Sequence, residues 1–109
     1  MSSPTPKFPT QIKIGHHRYT VRRGAEVLKE ERLRGRIRFD ARVMEIEKES
    51  DAETAASVLH EVVHGLFNFM QRTKECDDEE LIHATATILQ QIIKENPVLI
   101  AWVQAQPLR

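Results

Sequence analysis

Between Leu59 and Phe67 the chain reads LHEVVHGLF, an apolar run interrupted by two histidines four residues apart and by a glutamate next to the first. In a helix, residues i and i+4 lie about 40° apart around the axis, one turn above the other, so both imidazoles reach one point in space. Glu61 falls about 100° from His60 and about 60° from His64, beside that point. The stretch therefore asks for a helix with a polar stripe.

The neighbouring residues supply that helix. Ser50-Asp51-Ala52-Glu53 has the capping-box pattern, in which the serine accepts a backbone N–H and the glutamate reaches back to the cap. The helix is expected from about 51 to 72. Glu53, Ser57, His60, Glu61, His64, Asn68 and Gln71 share the polar stripe, and Ala52, Ala55, Leu59, Val63, Leu66 and Met70 share the opposite face. Val58, Val62, Gly65 and Phe69 border the stripe and keep it narrow. Gly65 costs a helix about 1 kcal/mol relative to alanine, which implies close approach by another segment.

TKECDDEE breaks that helix. A second one, about 78 to 95, carries Leu81, Ile82, Ile88, Leu89, Ile92 and Ile93 at helical spacing and stops at Asn96-Pro97. PVLIAWVQAQP then reads as a short amphipathic helix that packs Val98, Leu99, Trp102 and Val103 onto the body. Upstream, QIKIGHHRYTVRR alternates, with Ile12, Ile14, Tyr19 and Val21 on one face and a hairpin turn at Gly15. A polar helix is expected from Ala25 to Leu33. RGRIRFDARVMEIEKE reads as two strands about a turn at Asp40 to Arg42. The expected fold class is α+β: a small antiparallel sheet with one polar face, packed on the histidine-bearing helix and a glutamate-bearing helix.

A length of 109 residues suits one domain with one modest core. Residues 1–10, with three prolines, are expected to be a flexible lead-in, and residues 11–109 the domain. Charge is segregated: residues 1–42 carry 11 Lys and Arg against 4 Asp and Glu, a balance of +7, and residues 43–109 carry 5 against 12, a balance of −7. The two halves are expected to attract each other. The single cysteine, Cys76, cannot form an internal disulfide. With no apolar core in MSSPTPKFPT, and no run near the roughly 20 apolar residues that span a bilayer, a cytoplasmic protein without a membrane partner is expected.

His60, Glu61 and His64 together form HExxH, the zinc-binding arrangement in which two histidines hold the metal and the glutamate takes a proton from the bound water. Attack on an amide carbonyl then becomes feasible at neutral pH, because zinc lowers the pKa of that water to about 7. The extended HExxHxxGxxH pattern is absent, since Phe67 and Met70 stand at the last two positions, so a third ligand must come from elsewhere. Asp77-Asp78-Glu79-Glu80 is the nearest supply. Glu79 lies closer than Glu80 to the apolar side of its helix, and is favoured over it. His83, one turn on, is a candidate for orienting that carboxylate or polarising a substrate carbonyl, with Tyr19 as the other candidate electrophile.

These residues resemble a family: small gluzincin-type metallopeptidases of the ImmA/IrrE sort, with the compact HExxH proteins of phages and mobile elements. The resemblance rests on RGRIRFD and EIEKE, then AASVLHEVVHGLF, then EELIHATATILQQIIKENP. It implies zinc on His60 and His64, catalysis by Glu61, a third ligand from Glu79 or its neighbour, and a peptide or protein substrate, a regulatory protein being the family's usual theme. Two other readings compete. One is a zinc-stabilised interaction module without turnover. The other is a nucleic-acid-binding module using Arg18, Arg22, Arg23, Arg32, Arg34, Arg36 and Arg38, disfavoured because only Tyr19 and Phe39 are nearby for stacking.

Overall fold

The computed structural model describes residues 6–24 and 33–109. Four strands, β1 (Gln11–Ile14), β2 (His17–Arg23), β3 (Gly35–Arg38) and β4 (Val43–Ile46), are followed by four helices, α1 (Asp51–Phe69), α2 (Thr73–Cys76), α3 (Glu79–Glu95) and α4 (Pro97–Ala105). The class is α+β as expected. The helix expected at Ala25–Leu33 falls, apart from Leu33, outside the described residues.

The sheet is mixed rather than antiparallel throughout. Its order is β1-β2-β4-β3, and the central pair β2–β4 is parallel, with Thr20 opposite Val43 and Arg23 opposite Ile46. The expected hairpins are both present, Ile14 pairing with His17 and Arg38 with Val43. They are joined side by side through β4, which alternation alone does not specify. As an inner strand, β4 buries Met44, Glu45 and Ile46 in succession.

Inward residues of the sheet, Ile14, Tyr19, Val21, Met44 and Ile46, form one core with Val58 of α1. Phe8 also packs there, with the Arg23 guanidinium 5.2 Å from its ring centroid, and Thr10 accepts the backbone N–H of Val21. Phe8 and Thr10, within the segment expected to be a flexible lead-in, thus contact the sheet. Residues 1–5 lie outside the described residues.

Helix α1 is gripped on two sides, not one. Thr54, Val58, Glu61 and Gly65 are buried toward the sheet, whereas Val63 is buried against Ile82 and Ala86 of α3, with Leu59, Phe67 and Leu89 around them. Leu66 was expected to anchor the helix but is exposed, as are Met70, Ala52 and Ala55. Leu66 lies about 80° around the axis from Val58, in the strip between the two covered arcs. The approach implied by Gly65 is real: a Cβ there would stand 2.7 Å from Ile14 Cδ1.

Helix α1 starts at the cap that the sequence suggests, and its stop differs from the expectation. Ser50 Oγ accepts the N–H of Glu53, and Asp78 Oδ1 accepts that of Leu81, capping α1 and α3. Helix α1 stops at Phe69, three residues short of the expected end. Gln71 there takes φ 59°, and the Arg72 N–H returns to the Phe67 carbonyl. TKEC forms the short α2 instead of a plain break.

Ion pairs cross between the basic and acidic parts of the chain, Arg23 with Asp51, Arg34 with Glu49 and Arg36 with Glu45. Helix α4 overturns one expectation: none of its residues is buried, and Val98, Leu99, Trp102 and Val103 are exposed rather than packed on the body. No helix among the described residues is long and apolar enough to cross a membrane.

Candidate metal centre

The two histidines come from consecutive turns of α1, with ring centroids 5.0 Å apart. The turn through Gln71, then α2 and the Asp78 cap, brings the first residue of α3 over them. Glu79 Oε2 lies 3.1 Å from His60 Nε2, and its Oε1 lies 3.0 Å from His64 Nε2. Ligand atoms of His60, His64 and Glu79 all fall within 4.8 Å of one another, the one such group among the described residues. Glu80 is not part of it.

His64 is oriented by a contact that the sequence did not suggest. Its Nδ1 donates to the carbonyl oxygen of Cys76 at 2.8 Å, which leaves Nε2 as the metal-facing nitrogen. The Cys76 thiol donates to the His64 carbonyl at 3.3 Å and lies 3.9 Å from His64 Nδ1. Burial first, then the charges of Asp77, Glu79 and Glu61, push that thiol's pKa up. A backbone carbonyl has no side-chain signature, which is why this role was not foreseen.

Glu61 sits on the sheet-facing side of the helix at 5% exposure, its Cγ 3.4 Å from where a Cβ on Gly35 would stand. Burial, reinforced by the Glu79 charge, raises its pKa from 4.5 to about 7. Burial and the neighbouring His64 hold His60 below its ordinary value, despite the opposing pull of Glu79.

These groups open onto a cavity of 520 Å³ walled by Leu33, Arg34 and Gly35 on one side and by α1 and α3 on the other. His60, Glu61, His64, Glu79 and His83 all line it. Tyr19 does not: it is 1% exposed in the sheet core with its hydroxyl unpartnered, which removes it as the electrophile. The arginines proposed for nucleic acid are divided. Arg23 turns inward to Asp51, Thr54 and the Glu49 carbonyl, and Arg36 pairs with Glu45 at 2.7 Å. Arg32 lies outside the described residues, and Arg34 belongs to the cavity wall.

Two imidazole nitrogens and a carboxylate, with one imidazole fixed from behind, are a donor set suited to zinc in a three-ligand site. No protein-family model matches the chain, and neither a curated protein nor a solved structure does.

Proposed function

We propose that the chain is a zinc-dependent metallopeptidase in which Glu61 activates the water that attacks a peptide carbonyl. The observation that carries this reading is the convergence of His60, His64 and Glu79 within 4.8 Å, beside a buried carboxyl that titrates at about 7. His60, His64 and Glu79 would hold the metal. When bound, zinc supplies a water of pKa about 7 and polarises a carbonyl oxygen.

Glu61 then accepts the proton of the attacking water and delivers it to the leaving amine, a task that suits a carboxyl poised near neutrality. His83, on the cavity wall, donates a hydrogen bond to the carbonyl oxygen as negative charge develops there. Strand β3 is one edge of the sheet, and Gly35, its first residue, lines the cavity. An extended peptide added to that edge would lie across the site. The resemblance of the motifs to ImmA/IrrE-type proteins supports a regulatory protein in the cytoplasm as the substrate class.

One observation favours a second reading, a zinc-stapled interaction module. The three ligands join α1 to α3 beside the apolar contact of Val63, Leu59 and Phe67 with Ile82, Ala86 and Leu89, where a metal would cross-link the helices. Metal content of wild type and His60→Ala, purified without added zinc, tests both readings; a metal-free wild type sinks them together. Glu61→Gln is expected to keep the metal and to abolish cleavage of a peptide pool. If it matches wild type in every assay, only the module stands.

A further inference from the structure

Because side chains alternate along a strand, the sheet has a second face, turned away from α1. Ile14, Tyr19, Val21, Met44 and Ile46 point into the core, and the residues between them point the other way. The registers set these outward residues side by side. Lys13 lies opposite Arg18, Gln11 opposite Thr20, Thr20 opposite Val43, Val43 opposite Arg38, and Arg22 opposite Glu45. Gln11, Lys13, Arg18, Thr20, Arg22 and Arg38 are exposed, and each carries a hydrogen-bond donor.

The one acid on this strand face, Glu45, is 8% exposed and accepts from Arg36 Nε at 2.7 Å. Apart from that pair the face holds Lys13, Arg18, Arg22 and Arg38, a balance of +4 on a chain whose net charge is zero. None of these four makes an ion pair among the described residues. Lys13 and Arg18 are direct cross-strand partners of like charge, an arrangement that costs stability unless an anion meets them. No described helix packs there: α1 lies on the opposite face, and α3 packs on α1.

We infer that this face binds the phosphate backbone of a duplex nucleic acid without reading its bases. Three gaps of about 4.8 Å make the four strands roughly 14 Å wide. A duplex, with one charge per about 1.7 Å of axis, presents roughly eight phosphates over that width, enough to engage all four cations. Gln11 and Thr20 add neutral donors of the kind that position a protein on phosphates. The apolar side chain of the face, Val43, is half-buried, and Tyr19 is in the core. That composition decides among anionic partners. A single strand needs aromatic platforms, an acidic protein an apolar or aromatic centre, and a membrane a hydrophobic anchor besides charge. A duplex backbone needs none of these. The inference is independent of the metal reading, and docking on this face leaves the cavity between α1 and α3 open.

Fluorescence anisotropy of the full chain with a mixed-sequence DNA duplex, the matching RNA duplex and each single strand tests the assignment. Micromolar binding to at least one duplex is expected at about 50 mM salt, falling roughly 150-fold by about 200 mM with a log–log slope between about −3 and −4, as four phosphate contacts require. Scrambling the sequence should change neither value. Arg18→Ala combined with Arg38→Ala should bring the slope to about −2 and the loss to roughly 12-fold. Both positions are exposed, so the far-UV spectrum and melting profile should hold. Lys94→Ala, which removes an exposed charge from α3, should leave the slope as in wild type. Binding of one duplex and not the other identifies which backbone the face fits. Failure of both duplexes to bind at about 50 mM salt overturns the inference. So does a double variant that keeps the wild-type slope, or a Lys94→Ala protein that loses as much slope as the double variant. Tighter binding to the single strands, to polyglutamate or to phosphatidylserine vesicles than to either duplex also overturns it.

Discussion

His64 donates its Nδ1 proton to the carbonyl oxygen of Cys76 across 2.8 Å, and Cys76 returns a thiol hydrogen bond to the carbonyl of His64. Because a carbonyl can only accept, His64 carries a proton on Nδ1, and its Nε2 is the nitrogen that faces Glu79 and His60. Cys76→Ala keeps that carbonyl. Its metal affinity is expected to stay within about threefold of wild type, well short of the 10–100-fold that loss of an orienting partner costs. Nitrogen NMR of the metal-free protein should show His64 protonated at Nδ1; a large affinity loss in Cys76→Ala would instead make the sulfur a ligand.

Glu79 bridges the two imidazoles at 3.1 and 3.0 Å while its side chain remains 68% exposed, so no packing role competes with ligation. Glu79→Ala should lower zinc affinity by at least about 100-fold, more than an outer partner would. Glu80→Ala should leave it unchanged. Titration calorimetry on the pair separates ligand from bystander.

Glu61 makes the metal-free protein sensitive to pH. Its folded pKa of about 7 lies above 4.5, so between those values the folded state keeps a proton that the unfolded chain has lost. Stability therefore falls as pH rises through that window, by about 3 kcal/mol from this group. His60, held below its ordinary pKa, acts in the opposite direction as pH approaches 6.5. Urea unfolding in chelator at pH 5 and pH 7.5 should show Glu61→Gln losing the fall and retaining the rise. Zinc is expected to abolish the difference by favouring the carboxylate.

Gly15 turns the first hairpin at φ +61°, and a Cβ there would meet Phe69 ring carbons at Cζ and both Cε positions. His16 and His17 pack edge-on to the same ring, at centroid distances of 5.3 and 5.2 Å. Gly15→Ala combines left-handed backbone strain with overpacking, and should destabilise by about 2–4 kcal/mol in denaturant unfolding. A loss below 1 kcal/mol would mean that Phe69 can move aside.

Much of the candidate site was legible because its parts are local. The i, i+4 spacing of His60 and His64 requires only a helix, and the Ser50 cap that starts α1 is written in the chain. Alternation likewise showed which residues of the first hairpin face inward, Ile14, Tyr19 and Val21 among them. It could not show which strand lies beside which, since the same alternation serves parallel and antiparallel neighbours. The parallel pairing of β2 with β4 was therefore not readable.

Alone, the sequence determined an HExxH helix, a second helix opening on acidic residues, and a strand-rich lead, since each is set by spacing and capping within a few residues. Tertiary structure decided three further matters. Gln71 in the left-handed region and the turn of α2 carry Glu79 rather than Glu80 onto the histidines. Packing α1 between sheet and α3 buries Glu61, which a helical wheel had placed in a solvent-like stripe. The break at Asn96 leaves α4 off the body. In each case the outcome depends on where a segment arrives in space after a turn, and residue spacing along one helix carries no information about that.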